Sequence, residues 1–251
     1  MKIIFYSLLA IVLFVSCDKI NGNNADECDN IKQVRIDATT DLDYGQTLKL
    51  LLPDLGINTY YSWTGPANFN WTGKKYEGTA TLKNRGMYYL NISNVDCESK
   101  NDSVYIKVKL PQGVAPCTPT LNVATYNNLA NDSYTTIVKG IESSYNQFAL
   151  SCSGVGNLRV LFHQEWKTKE PEDGIYTTIS TPSFGQIDYE YNKVFVTTTK
   201  SSIFWSSQPD QKVYVSHVNG KLQIKFCDLI MSGSNGTSYT TKISTNIVQT
   251  N

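Results

Sequence analysis

The sequence predicts an all-β protein built as two units, and three observations carry that prediction. Short runs that alternate apolar and polar residues recur along most of the chain, each bounded by Gly, Pro, Asn or Asp. Charged residues make up only 18% of the chain while tyrosine alone numbers 16, the composition of strands with one wet face. Between two such sets of strands, Pro111-Gln112-Gly113-Val114-Ala115-Pro116-Cys117-Thr118-Pro119 carries three prolines and a glycine and reads as a semi-rigid linker.

Ahead of the first unit, Lys2 precedes the apolar run Ile3–Val15, followed by small Ser16 and then Cys17. A charged start, an apolar stretch and a small residue before the cut are the parts of a secretory signal. The run is shorter than the ~20 residues a spanning helix needs. Phe14-Val15-Ser16-Cys17 resembles the lipobox of bacterial lipoproteins, with Phe14 where that family usually carries Leu. The resemblance implies a signal over 1–16 and acylation at Cys17. Acyl chains contribute roughly 0.8 kcal/mol per buried methylene, so two or three hold a protein at a membrane. Residues 17–27 are polar and aperiodic and are expected to be a flexible tether. Asp18, Asp26 and Glu27 behind the cysteine are compatible with display at the outer face of the envelope.

The first unit is expected over 28–110. Ile31–Ala38 alternates as a half-buried strand, and Asp43-Tyr44-Gly45-Gln46 is a turn before the strand Thr47–Leu52. Further strands are expected at Tyr60–Gly65, Thr79–Leu82, Met87–Ser93 and Asp102–Val108. Short strands spaced by turn residues around a central Trp63 indicate an immunoglobulin-like sandwich with Trp63 in its core. Trp71, in the turn-like Asn68–Gly73, is the better candidate for exposure and ligand contact.

Tyr61-Ser62-Trp63-Thr64-Gly65-Pro66, Gly86-Met87-Tyr88-Tyr89-Leu90 and Cys97 before the last strand resemble Ig-like and PKD-like domains of Bacteroidetes surface proteins. The cysteine pair that usually faces across such a sandwich is absent, and Cys28 is the expected partner of Cys97. Asp102-Ser103-Val104 matches the short O-glycosylation motif of proteins in that group, which makes Ser103 a candidate acceptor.

The second unit, 120–251, holds strands at Thr120–Tyr126, Tyr134–Val138, Gln147–Cys152, Asn157–His163, Gly174–Ser180, Lys193–Thr199, Ser201–Ser206, Lys212–His217, Lys221–Leu229 and Ser238–Asn246. Asn219-Gly220 is a two-residue hairpin signal, and Glu142–Asn146 is the one spot for a short helix. Such a set must bury its edges, as an antiparallel sandwich, the favoured form, or as a barrel. Lys169–Thr177 and Gly220–Cys227 resemble an uncharacterised β-rich domain of Bacteroidetes lipoproteins, which implies fold and location and no activity. Export favours disulfides. Cys152 and Cys227, each on an expected strand, are the preferred pair with Cys117 left over; Cys117–Cys227 is the competing bridge.

Several function classes are disfavoured. Lys and Arg total 22 against 22 Asp and Glu, so there is no basic field for nucleic acid. Two histidines, His163 and His217, and no CxxC pair argue against a metal centre, and no cofactor is expected. His163 with Glu165, Ser151 and Ser153 lacks a nucleophile elbow, so no catalytic residue is assigned. Glu165, Glu170, Glu172 and Asp173 read as a solvated acidic loop, and Asp41 and Asp43 fall short of a calcium loop. The richest aromatic cluster is Tyr189, Tyr191, Phe195, Phe204 and Trp205, from which Tyr189, Tyr191 and Trp205 join Trp71 as candidate ligand contacts. The expected function is a non-enzymatic outer-membrane lipoprotein presenting β domains to a protein or glycan partner, with a glycan-binding accessory role in polysaccharide uptake as the alternative.

Overall fold

A computed structural model describes residues 24–56, 58–142, 147–163, 166, 169–181 and 191–250, with the side chains of 24–27 left aside. The signal region, Cys17, Tyr189, Glu165 and the 143–146 part of the expected short helix lie outside the described residues.

Among the described residues the chain is all-β apart from one helix and short 3-10 turns. That helix, α1 (Asn24–Gln33), corrects two expectations: 24–27 belong to it, not to the tether, and Ile31–Gln33 are helical, not strand. Cys28, Ile31 and Val34 recur at three-residue spacing, which suits one helical face, whereas the strand alternation Val34, Ile36, Ala38 begins only after the helix and leaves Ile31 out of phase. Cys28 is bonded to Cys97, and Ile31 and Val34 are buried.

The first unit is a two-layer sandwich. One layer orders β1 (Asp37–Ala38), β3 (Thr47–Leu51) and β6 (Lys75–Thr79). The other orders β2 (Asp41–Leu42), β8 (Lys100–Val108), β7 (Gly86–Asn94), β4 (Thr59–Gly65) and β5 (Phe69–Thr72). Leu48, Leu50, Trp63, Tyr88, Leu90 and Ile106 are buried between the layers. Trp63 is core as expected, and its indole N–H donates to the Gly73 carbonyl at 3.0 Å. Gly65 lets the ring of Tyr88 close over the backbone, since a Cβ there would sit 2.9 Å from Cδ1. Two edge strands depart from expectation. Trp71 lies on β5, paired with Trp63 of β4, where a turn is expected, and β6 precedes the 3-10 turn at Leu82–Asn84 where a strand is expected. β5 pairs in one layer and β6 in the other, so the chain changes layers at Gly73–Lys74.

The second unit follows its expected strands closely: β9 (Val123–Tyr126), β10 (Asp132–Glu142), β11 (Gln147–Gly154), β12 (Asn157–Phe162), β13 (Gly174–Thr178), β14 (Lys193–Lys200), β15 (Ile203–Ser207), β16 (Lys212–Val218), β17 (Lys221–Ser234) and β18 (Ser238–Val248). All ten join one sheet, ordered β12-β11-β10-β9-β18-β17-β15-β14-β13-β16. Because β12 also pairs with β14, the run from β12 round to β14 closes on itself, which is the barrel of the two closures left open by the sequence. β16 returns to the first half of β17. Closure removes the free edges of a long sheet. The pairing is antiparallel except between β13 and β14. Asn219 and Gly220 both adopt positive φ (53° and 74°), as a tight hairpin turn requires.

The bridge at Cys227 corrects the preferred pairing, since its partner is Cys117 and Cys152 is a buried free thiol. β11 and β17 are not neighbours in the sheet. Cys227 sits at a register shift of β17 and is only half-buried between buried Phe226 and Leu229, within reach of Cys117 on the linker. Although no ladder joins the two units, their buried side chains form one continuous cluster from Ile31 to Ile247. The linker is pinned at its start, where Ile175 N–H donates to the Pro111 carbonyl at 2.6 Å.

Candidate functional site

The two outer faces of the first sandwich differ in chemistry. On the smaller layer, Lys49 and Lys75 point outward and pair with Glu77 at 3.6 and 3.3 Å. On the larger layer the outward positions of β4 and β7, and of β8 from Asn101 to Tyr105, carry no charge. Thr64, Tyr89 and Ser103 form one cross-strand row, Met87 and Tyr105 the next, and Ser62, Asn91 and Asn101 a third. The alternation of β4, β7 and β8 dictates this arrangement, since Trp63, Tyr88, Leu90 and Ile106 take the inward positions. Tyr60, Tyr89 and Tyr105 are 65%, 56% and 45% exposed. The first charges come at the border, where Lys107 lies opposite Asp41. Ser103, the candidate acceptor, is exposed in the middle of this face, and its backbone N–H donates to the Asp102 carboxylate at 2.9 Å.

A second concentration of polar groups lies where the units meet, and it is structural. Arg85 is 3% exposed and donates from both terminal nitrogens to Glu172, at 3.0 and 2.7 Å. Its guanidinium sits 5.7 Å from the ring centres of Trp166 and Tyr191. The Tyr191 hydroxyl donates to the Arg85 carbonyl at 3.1 Å, and Trp166 donates to the Tyr191 carbonyl at 2.7 Å. Burial is the largest influence and works against the Arg85 charge, but the hydrogen bonds and charges of Glu172 and Tyr105 together outweigh it and hold the pKa above the ordinary value. The hydrogen bonds from Arg85 hold the Glu172 carboxyl below the usual range against partial burial. Beside this pair, His217 lies between Asp173 (2.6 Å) and Glu170 (3.0 Å), and Glu170 also pairs with Lys139. The acidic loop is therefore not merely solvated, because Glu170 and Glu172 each hold a cation from another segment and Asp173 is hydrogen-bonded to the His217 ring.

Among the described residues, the candidate ligand contacts Trp71, Tyr191 and Trp205 do not share a surface. Trp205 is 3% exposed, inside the second unit against Gly233, so it is no platform. Alternation with exposed Phe204 turns it inward. Tyr191 is engaged at the junction. Trp71 is 41% exposed but packs edge-on to Tyr76 and donates to the Lys75 carbonyl at 2.9 Å. Phe195 is buried and Phe204 is exposed. His163 is buried with its ring edge-on to Tyr191 at 5.8 Å. Asp41 and Asp43 each lie 3.5 Å from Lys109, which occupies the place of a cation. Among the described residues no group of three His, Cys, Asp or Glu side chains is placed to hold a metal ion. Burial pushes the Cys152 thiol up to about 12, which leaves it unreactive at neutral pH. Tyr89 and Tyr105 belong to no recognisable site motif, and their outward positions on β7 and β8 are the one signal in the sequence that marks them.

No protein-family model matches the chain, and no curated protein matches it. Among solved structures, the chain is similar to a mouse coronavirus receptor-binding domain complexed with its murine receptor. That match has 12% identity, 86% of this chain and 96% of that chain covered, and a TM-score of 0.26. A second, murine CEACAM1b, has 15% identity, 86% and 98% covered, and a TM-score of 0.27. A likeness at this level carries nothing about function.

Proposed function

We propose that this chain is a non-enzymatic, lipid-anchored protein of the cell envelope that presents the uncharged face of its first unit to a partner, in adhesion or capture. The observation that supports it is the contrast between the layers: one outer face is laced with ion pairs, the other offers exposed Tyr60, Tyr89 and Tyr105 among Ser, Thr and Asn. Aromatic rings with polar tips supply contact area at low ordering cost, and an uncharged face binds without desolvating ions. Two disulfides fit an oxidising compartment. The anchor rests on the Met1–Cys17 pattern. Cys17→Ala is expected to move the protein from the detergent phase to the aqueous phase; unchanged partitioning overturns the anchor.

A second reading, glycan capture for a polysaccharide uptake system, draws on the same face, since rings flanked by amides and hydroxyls suit a neutral sugar chain. A glycan array with the wild type and a Tyr89→Ala, Tyr105→Ala variant separates the two. Sugar binding lost in the variant favours capture. Adhesion to cells lost in the variant, with no sugar bound by either, favours a protein partner. If the variant matches the wild type in both assays, the face is not the binding surface.

A further inference from the structure

A cleft of about 310 Å³ opens between the two units, and none of the outward tyrosines of the uncharged face lines it. From the first unit and the linker, Tyr44, Leu82 and Pro111 supply an aromatic and apolar wall. Facing them, Thr177 of β13 is the register partner of Lys193 on one side and of Lys212 on the other. The three therefore form one row across β14, β13 and β16, all lining the cleft. With strands about 4.8 Å apart, the row places two lysines roughly 10 Å apart at their Cα atoms with a hydroxyl between them. Lys212 is exposed and forms no ion pair among the described residues, while Lys193 is mostly buried and engaged, with Asp210 at 3.8 Å among its partners. Asn192, 8% exposed, lines the same cleft; its amide N–H reaches the Ile175 carbonyl at 3.4 Å and its Oδ1 has no partner.

We propose that this cleft binds a small ring-bearing carboxylate. The carboxylate lies along the row, bonded to Lys212 and Lys193 beside the Thr177 hydroxyl. The ring packs against Tyr44, Pro111 and Ile175. The volume sits at the low end of the roughly 300–1,000 Å³ of ligand pockets, so the site takes one ring, not a chain. Two ammonium groups disfavour a cation, and a pair of lysines is too little for nucleic acid. The same chemistry could come from a hexuronic acid or from an aromatic acid.

Isothermal titration of the disulfide-bonded protein with sodium glucuronate and with sodium benzoate tests the site, with glucose and benzyl alcohol as neutral counterparts. Saturable binding of at least one carboxylate, absent for its neutral counterpart, is the expected result, and which one binds assigns the source. Lys212→Gln, a change at an exposed position, is expected to weaken that binding about tenfold, the loss of one charge-assisted hydrogen bond. Tyr89→Ala, on the other face, is expected to leave it unchanged. Thermal melts of both variants check that each is folded. No saturable heat up to millimolar carboxylate overturns the proposal, as does equal binding of the neutral counterpart or an unaffected Lys212→Gln. Any of these results leaves the reading of the uncharged face standing.

Discussion

Arg85 of the first unit and Glu172 of the second, 87 residues apart in sequence, are joined by two parallel hydrogen bonds across the junction of the units. The guanidinium is nearly fully buried, and the carboxylate is 38% exposed. The geometry is the bidentate fork that arginine offers and lysine cannot. Deleting the acid leaves a buried charge without its counterion, whereas deleting the base leaves a partly solvated carboxylate. Glu172→Ala is therefore expected to cost about 2–3 kcal/mol, below the full value for a buried pair because solvent screens the carboxylate. Arg85→Met is expected to cost less. Urea denaturation of both variants checks the order; an equal or reversed ranking sinks the argument.

The pair also makes stability depend on pH. Arg85 holds the folded-state pKa of Glu172 below its ordinary 4.5. A depressed carboxyl stabilises the fold fully above its unfolded pKa, and that stability is lost as pH falls through the lower folded value. The acid limb of the wild-type stability curve is expected to steepen below 4.5. Glu172→Gln is expected to be less stable at neutral pH and to lose less on acidification. Melting temperatures between neutral pH and the acid limb measure it, and parallel curves for the two proteins would refute the linkage.

Local pattern accounts for most of what was legible. Leu222-Gln223-Ile224-Lys225-Phe226 alternates, and it is strand with Leu222, Ile224 and Phe226 buried. Asn219-Gly220 turns as its chemistry demands. What stayed hidden depends on contacts distant in sequence. Whether β12 meets β14 decides between an open and a closed sheet, and nothing in either strand states it. Cys152 and Cys227 both read as strand cysteines, and only the sheet order shows that their strands lie apart. Ile31 is out of phase with the alternation of Val34, Ile36 and Ala38, and it lies in the helix that the Cys28–Cys97 bridge ties down. Arg85 looks like any turn residue until the second unit is set against it.

Cys152 supplies a readout of folding. It is the free cysteine among the described residues, buried in β11 with its thiol pushed up to about 12. In a Cys17→Ala protein, iodoacetamide at neutral pH is expected to add nothing to the native state. In denaturant without reductant it is expected to add one label, at Cys152, because the other four cysteines are bonded. Intact mass before and after denaturation counts the labels. Labelling of the native protein, or three labels on denaturation, would contradict the pairing.

The Cys28–Cys97 bridge ties α1 to the sandwich across a sequence separation of 69. Chain entropy for a loop of that size is worth about 4 kcal/mol, a large part of the stability of an ordinary domain. Cys28→Ser with Cys97→Ser is therefore expected to lower the denaturation midpoint strongly and to free the helix before the rest. Two causes contribute to the second effect: Ile31 and Val34 lose the covalent clamp that seats them in the core, and an isolated helix of ten residues is marginal in water. Hydrogen exchange resolves the two effects. Loss of protection over 28–34 with β7 and β8 still protected fits a helix held by its bridge. Equal loss across helix and strands would instead mean that the bridge stabilises the unit as a whole.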